Sequence, residues 1–128
     1  MSPNKEDYLK AIFEFSGTAV YIPNKYIAEK LGIAPASVTE MLNKLADEKL
    51  IRYFPYKGSQ LTARGQKLAE KLSRDHKMWV HFLVAYLSYQ PVEAHEIAEK
   101  LEHISLQDLP ERMEKFVARL EKGPKEAS

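Results

Sequence analysis

Apolar residues recur at helical spacing through most of this chain. From Asp7 to Phe15 they fall at Tyr8, Leu9, Ile12 and Phe15, a period near 3.6 that predicts a helix with one buried face. Gly17 ends that segment. Pro23 and Asn24 open a second helix, with its buried face expected at Tyr26, Ile27 and Leu31, and Gly32 stops it. A third helix starts near Ala34 or Pro35, because proline is tolerated in a first turn. Val38, Met41, Leu42 and Leu45 form its apolar stripe.

The period then changes. Leu50 to Phe54 is apolar and aromatic, Pro55 to Ser59 is turn chemistry, and Gln60-Leu61-Thr62 returns as a short strand. Thr62 is placed to cap a long helix running toward Tyr89, with Leu68, Leu72 and Met78 on its apolar side. Pro91 interrupts, and a further helix covers about Val92 to His103. Ser105 with Asp108 resembles the capping box that starts a last helix, Leu106 to Lys122, which Gly123-Pro124 ends. The fold class is therefore mainly α. The expected organisation is a winged helix-turn-helix over 1–63, an all-helical domain over 64–122 and a disordered tail over 123–128.

Bulk composition narrows the class. The chain has 128 residues, 45% hydrophobic and 29% charged, with no cysteine. That is ordinary for a globular protein and excludes disulfides and thiolate metal sites. No apolar run approaches the roughly 18 residues that a bilayer-spanning helix needs, and Met1 to Lys10 carries no signal-peptide core. A cytoplasmic location without membrane partners is expected. The net charge is only +1, so any nucleic-acid binding must rest on a local basic face.

Two short helices joined through Gly32, followed by a hairpin, form a winged helix-turn-helix pattern. The second helix of such a pair enters the major groove of double-stranded DNA. Its exposed N-terminal residues are expected to be Pro35, Ala36, Ser37, Thr39 and Glu40. Ser37 and Thr39 carry short hydroxyls suited to phosphates or base edges, and Ala36 and the Thr39 methyl suit a thymine methyl. Lys44, Arg52, Lys57 and Arg64 are placed to reach phosphates on either side, and Tyr53, Tyr56 and Lys57 of the wing to lie along the backbone.

A second pattern lies near the other end. Glu99, Glu102 and His103 sit at i, i+3 and i+4, which puts all three on one helical face, with His95 one turn earlier. Like charges at this spacing repel. Either the stripe is simply a solvated face, or a divalent cation turns the repulsion into a site. His81 reads as an exposed helix histidine. Trp79 with Phe82, Tyr86 and Tyr89 reads as packing or dimer contacts, and Leu83, Leu87, Leu101, Leu106, Leu109 and Met113 are further apolar candidates for such a dimer face.

Read together, these stretches resemble the diphtheria toxin repressor and manganese transport regulator family of metal-dependent repressors. The resemblance rests on Glu6-Asp7-Tyr8-Leu9, Ile27 to Leu31, Pro35 to Met41, Leu61 to Gly65, His76, and Glu99 through His103. It implies a homodimer whose winged-helix heads bind operator DNA when metal is present, and a short form without the C-terminal β-barrel that many members carry. It implies a principal site of Asp7, Glu99, Glu102 and His103. Three carboxylates and one imidazole suit Mn²⁺, or Fe²⁺, better than a thiolate-selected metal. It also implies that one ion joining the reading head to the dimer body fixes the spacing of two heads, so that metal and DNA tighten each other by the same factor.

The chain departs from the family at the second site. His76 and His95 remain, but Lys10 stands where a carboxylate is expected and Val80 cannot coordinate. Either His76, His95 and a shared carboxylate hold a weaker second ion, or the Lys10 ammonium replaces it; one tight metal per protomer is expected. The alternative function is a metal-independent winged-helix regulator that responds to a small molecule. Catalysis is not expected, since no separate nucleophile or glycine-rich phosphate cradle is present.

Overall fold

The structure, a computed structural model, describes residues 3–15, 20–104 and 107–122. The expected stop at Gly17, the Ser105 half of the capping box, Leu106 and the segment 123–128 lie outside the described residues. Two compact units divide the chain, Met1–Leu72 and Ser73–Ser128.

The first unit contains α1 (Lys5–Phe15), α2 (Asn24–Leu31), α3 (Pro35–Asp47), β1 (Ile51–Phe54), β2 (Gly58–Leu61) and the start of α4 (Ala63–Leu87). Asn4 and Asp7 open α1 by capping each other. The Asp7 N–H donates to Asn4 Oδ1 at 3.1 Å, and the Asn4 N–H donates to Asp7 Oδ2 at 2.9 Å, a reciprocal box that satisfies donors the first turn leaves open. The three helices bury most of their expected stripes against one another; Phe15, expected on the buried face of α1, is exposed at its last position. Leu9, Ile12, Ile27, Val38, Leu42 and Leu45 are fully enclosed. Tyr26, expected in the buried face of α2, is instead exposed and rests its ring 6.3 Å from that of Phe15. The eight-residue α2 buries Ile27 and Ala28, and a bulky ring one position away points off that narrow stripe.

α2 ends at Gly32, whose φ of +67° is left-handed and whose N–H caps carbonyls of the last turn. β1 and β2 pair antiparallel in the register Ile51↔Leu61, Arg52↔Gln60, Tyr53↔Ser59 and Phe54↔Gly58. Ile22 adds a bridge to Ser59 along the other edge of β2. Tyr53 does not lie free along the wing. Its hydroxyl accepts a hydrogen bond from Asn24 Nδ2 at 3.0 Å, which ties the hairpin to the start of α2. Thr62 caps α4 as expected: its Oγ1 accepts from the Gly65 N–H at 3.1 Å and donates to the Lys49 carbonyl at 2.8 Å.

The second unit holds the rest of α4, α5 (Pro91–Glu102) and α6 (Leu109–Lys122). Pro91 does not merely interrupt; it occupies the first turn of α5, with Gln90 as N-cap. Met78, Trp79 and Ala98 form the core here, with Val80, Leu101 and Met113 packed on it. Trp79 and Leu83 are buried within this unit, which removes them from any surface available for dimer contact. Leu87 and Leu109 are exposed. Among the described residues no helix is long and apolar enough to cross a membrane.

Two glycines make opposite demands. A Cβ on Gly65 would lie 1.9 Å from the Leu50 carbonyl oxygen, whereas one on Gly32 meets nothing within 4 Å. Gly65→Ala is expected to cost about 3 kcal/mol through forced backbone movement. Gly32→Ala should cost only about 1 kcal/mol, from left-handed backbone strain. Urea denaturation of the two variants measures the difference.

Candidate functional site

The second unit gathers four of the expected ligands. α4 supplies His76, and α5 supplies His95, Glu99 and Glu102 from successive turns. His76 stands between the others. Its Nδ1 lies 2.7 Å from Glu102 Oε1 and its Nε2 lies 3.1 Å from His95 Nδ1. The two imidazoles meet edge to face with centroids 4.4 Å apart. Glu99 Oε1 is 3.9 Å from His76 Nδ1. The Glu102 side chain retains 6% of its exposure and that of His76 17%, so both are largely withdrawn from water.

Carboxylate acceptance sets the proton positions. A neutral His76 that donates from Nδ1 to Glu102 presents a lone pair at Nε2, and His95 then donates from its own Nδ1. The result is a hydrogen-bonded relay, His95 to His76 to Glu102. The donor set nevertheless fits one. Ligand atoms of His76, His95 and Glu99 all lie within 4.8 Å of one another. Imidazole nitrogens and a carboxylate are the ligand types that divalent cations take. A cation there would replace the shared proton, so binding would release protons.

His103 lies just beyond α5 as its C-cap, with φ −85° and ψ −4°, and is exposed. It therefore continues the helical course of Glu99 and Glu102 without belonging to the hydrogen-bonded helix. In the first unit, Asp7 is half-buried in the first turn of α1, its carboxylate oriented by the Asn4 N–H.

The first unit exposes the residues expected to face DNA. Pro35, Ala36, Ser37, Thr39 and Lys44 of α3 are all exposed, as are Arg52, Lys57 and Arg64. Arg52 donates to Gln60 Oε1 at 3.3 Å across the hairpin. Lys57 Nζ sits 5.5 Å over the ring of Tyr21, which meets Phe54 edge-on. Tyr56 is fully exposed at the hairpin tip. Tyr8 runs from α1 toward α3, its hydroxyl 3.5 Å from the Ser37 carbonyl. Burial, and then the nearby Glu40 charge, push that phenol above its ordinary range. Sequence reasoning missed the Asn4–Asp7 box and the Tyr21–Lys57 contact. The first was legible, since Asn three residues before Asp is a capping signature; the second depends on a chain path no local pattern encodes.

His81 is exposed, as expected, but engaged. Its Nε2 contacts Glu121 Oε2 of α6, and the Tyr86 hydroxyl donates to the same oxygen at 3.0 Å. The His81 hydrogen bond, then that of Tyr86, hold the Glu121 carboxyl below the usual carboxylate range.

A helix-turn-helix head with a hairpin wing, in one chain with a helical unit that carries a histidine–carboxylate cluster, defines a winged-helix protein with metal-ligand chemistry. Residues 1–59 match the profile of the iron dependent repressor N-terminal DNA binding domain, and residues 62–128 match that of the iron dependent repressor metal binding and dimerisation domain. The chain belongs to the iron dependent repressor family. It is 36% identical over 118 residues to an uncharacterized HTH-type transcriptional regulator of Methanocaldococcus jannaschii, covering 91% of this chain and 94% of that one. It is 30% identical over 102 residues to the HTH-type transcriptional regulator MntR of Listeria monocytogenes, covering 80% of this chain and 71% of MntR. The structure of the manganese regulator SloR superposes with a TM-score of 0.78 and 44% identity, over 92% of this chain and 55% of SloR. This chain thus spans about half the length of that solved relative.

Glu121 supplies a pH test. A carboxyl whose folded pKa is depressed stabilises the fold above its unfolded pKa, and that contribution is lost as pH falls through the folded pKa. The stability difference between the unaltered protein and Glu121→Gln should therefore be present at neutral pH and close in the acid range below the usual carboxylate pKa. Thermal melts of both proteins across that range check it.

Proposed function

We propose that this protein is a metal-responsive, DNA-binding transcriptional regulator, a repressor activated for operator binding by Mn²⁺ or Fe²⁺. The observation that carries the reading is the His76, His95, Glu99 and Glu102 cluster in a chain whose other unit presents an exposed α3 behind a helix-turn. The family's DNA-binding and metal-binding descriptions support it, as do the manganese-regulator names of relatives. Residues 1–63 act as the reading head and 64–122 as the metal-binding and dimerising part. The active form is a homodimer acting in the cytoplasm, where it meets double-stranded DNA. Binding, not catalysis, is its activity.

Asp7, Glu99, Glu102 and His103 are the principal ligands in this reading, with His76 and His95 forming a second, weaker set. When bound, a divalent cation neutralises carboxylates that otherwise repel one another. Carboxylates and imidazoles form a hard, oxygen-rich set, which suits manganese and ferrous iron. Asp7 comes from the half of the sequence that reads DNA and the other three from the half that dimerises. Metal occupancy is therefore coupled to DNA affinity, and the coupling is reciprocal. A typical coupling of about 1–3 kcal/mol corresponds to roughly 5- to 150-fold. On the DNA side, Pro35, Ala36, Ser37 and Thr39 face bases and neighbouring phosphates, while Lys44, Arg52, Lys57 and Arg64 face phosphates.

Glu102→Gln and His103→Ala are expected to abolish the tightening of duplex binding by Mn²⁺ while leaving a folded protein. Fluorescence anisotropy with Mn²⁺ or with chelator measures it. Equal binding by the unaltered protein in both conditions would instead favour a metal-independent regulator. Replacing any one of Lys44, Arg52, Lys57 or Arg64 by Ala should weaken binding across sequences and reduce the salt slope by about 1. A slope unchanged in all four would move the phosphate contacts elsewhere.

A further inference from the structure

The burial of α3 fixes which positions lie opposite its inner face; one of them, Glu40, also lines a hollow with Tyr8, Ser37 and Lys44. Val38, Leu42 and Leu45 are fully enclosed and define its inner face. At 3.6 residues per turn, the positions opposite them are Ala36, Glu40, Asn43 and, in the last turn, Asp47, all exposed. Ser37 and Lys44 flank this ridge on one side and Thr39 on the other.

A carboxylate at the centre of a surface that must approach a polyanion is unfavourable unless something on the DNA answers it. Glu40 forms no ion pair or hydrogen bond among the described residues, although Lys44 lies one turn on. Phosphates cannot answer it. In the major groove, the group that suits a carboxylate is the cytosine amino group, and the edge that suits an asparagine amide is that of adenine, with its paired donor and acceptor. Ala36, with its short side chain, leaves room for both longer neighbours to reach the groove floor.

We propose that Glu40 and Asn43 determine operator sequence, Glu40 by accepting a hydrogen bond from a cytosine amino group and Asn43 by pairing with an adjacent adenine. The proposal rests on the reading of α3 as the DNA-reading helix. It gives the two residues the task of discrimination, while the surrounding cations and hydroxyls supply sequence-independent affinity.

The test is selection from a random-sequence duplex library with the full chain and Mn²⁺, for the unaltered protein, Glu40→Gln, Glu40→Ala and Asn43→Ala. The unaltered protein should select a fixed C·G pair near a fixed A·T pair. Glu40→Gln should convert the cytosine preference at that one position to adenine, because an amide offers a donor as well as an acceptor. Glu40→Ala and Asn43→Ala should each flatten one position, removing a discrimination of roughly 5- to 150-fold measured by competition. Glu40→Ala binding all sequences more tightly with unchanged base preferences would overturn the proposal alone, as would an unchanged selection by Glu40→Gln and Asn43→Ala. Failure of the unaltered protein to select any sequence would overturn the DNA reading of α3 and the proposal with it.

Discussion

A carboxylate withdrawn from water must have its charge answered, and Glu102 is such a group. It lies on α5 with almost no exposure, and His76 of α4 answers it at 2.7 Å. Removing His76 would take from this carboxylate a hydrogen bond made largely out of water, at a cost of the order of 1–3 kcal/mol. The constraint reaches outward. His76 can donate to Glu102 only from Nδ1, so its Nε2 faces His95, and Glu99 is drawn into the same space one turn before Glu102. The packing of Met78, Trp79 and Ala98 holds the two helices in the register that makes this possible. The apolar core and the polar cluster of this unit are thus one arrangement, since a slip of one residue along either helix would break both.

The first unit shows a related economy. Its interior is set by a few aliphatic residues, and the outward face of α3 is what remains once they are buried. Gly65 brings the start of α4 against the Leu50 carbonyl, and the Ile22–Ser59 bridge with the Asn24–Tyr53 hydrogen bond ties the hairpin to the segment before α2. The exposed cations Arg52, Lys57 and Arg64 therefore project from backbone fixed at several points, so any contact they make carries less ordering cost than the same side chains on a loose loop.

Much of this was legible in the sequence, for physical reasons that differ by element. Helices with a long apolar stripe, such as α3, announce their inner face through period alone. Thr62 and Gly32 are punctuation whose chemistry needs no neighbours. Tyr26 was misread because α2 is too short for its stripe to be averaged over several turns. Trp79 and Leu83, offered as candidate dimer contacts, proved to be interior because burial depends on what α5 and α6 lay over them. The histidine–carboxylate stripe of α5 was visible by spacing, but the His76–Glu102 and His76–His95 contacts required knowing which turn of α4 lies opposite. The engagement of His81 with Glu121, residues 40 positions apart, has no local signature at all.

The modest charge of the chain bears on how a metal could control it. A protein that neutralises many phosphates gains a large sequence-independent affinity from counterion release. Here the net charge is +1, and the cations of the reading surface share it with Glu40 and Asp47. On the proposed reading, sequence-independent affinity would rest on a few local cations, and a coupling of about 1–3 kcal/mol, the usual size, would be a large share of the total. On the proposed reading, an acidic residue on α3 would serve two ends at once: it would hold down binding to arbitrary DNA and leave the balance to the correct base pair and the metal together.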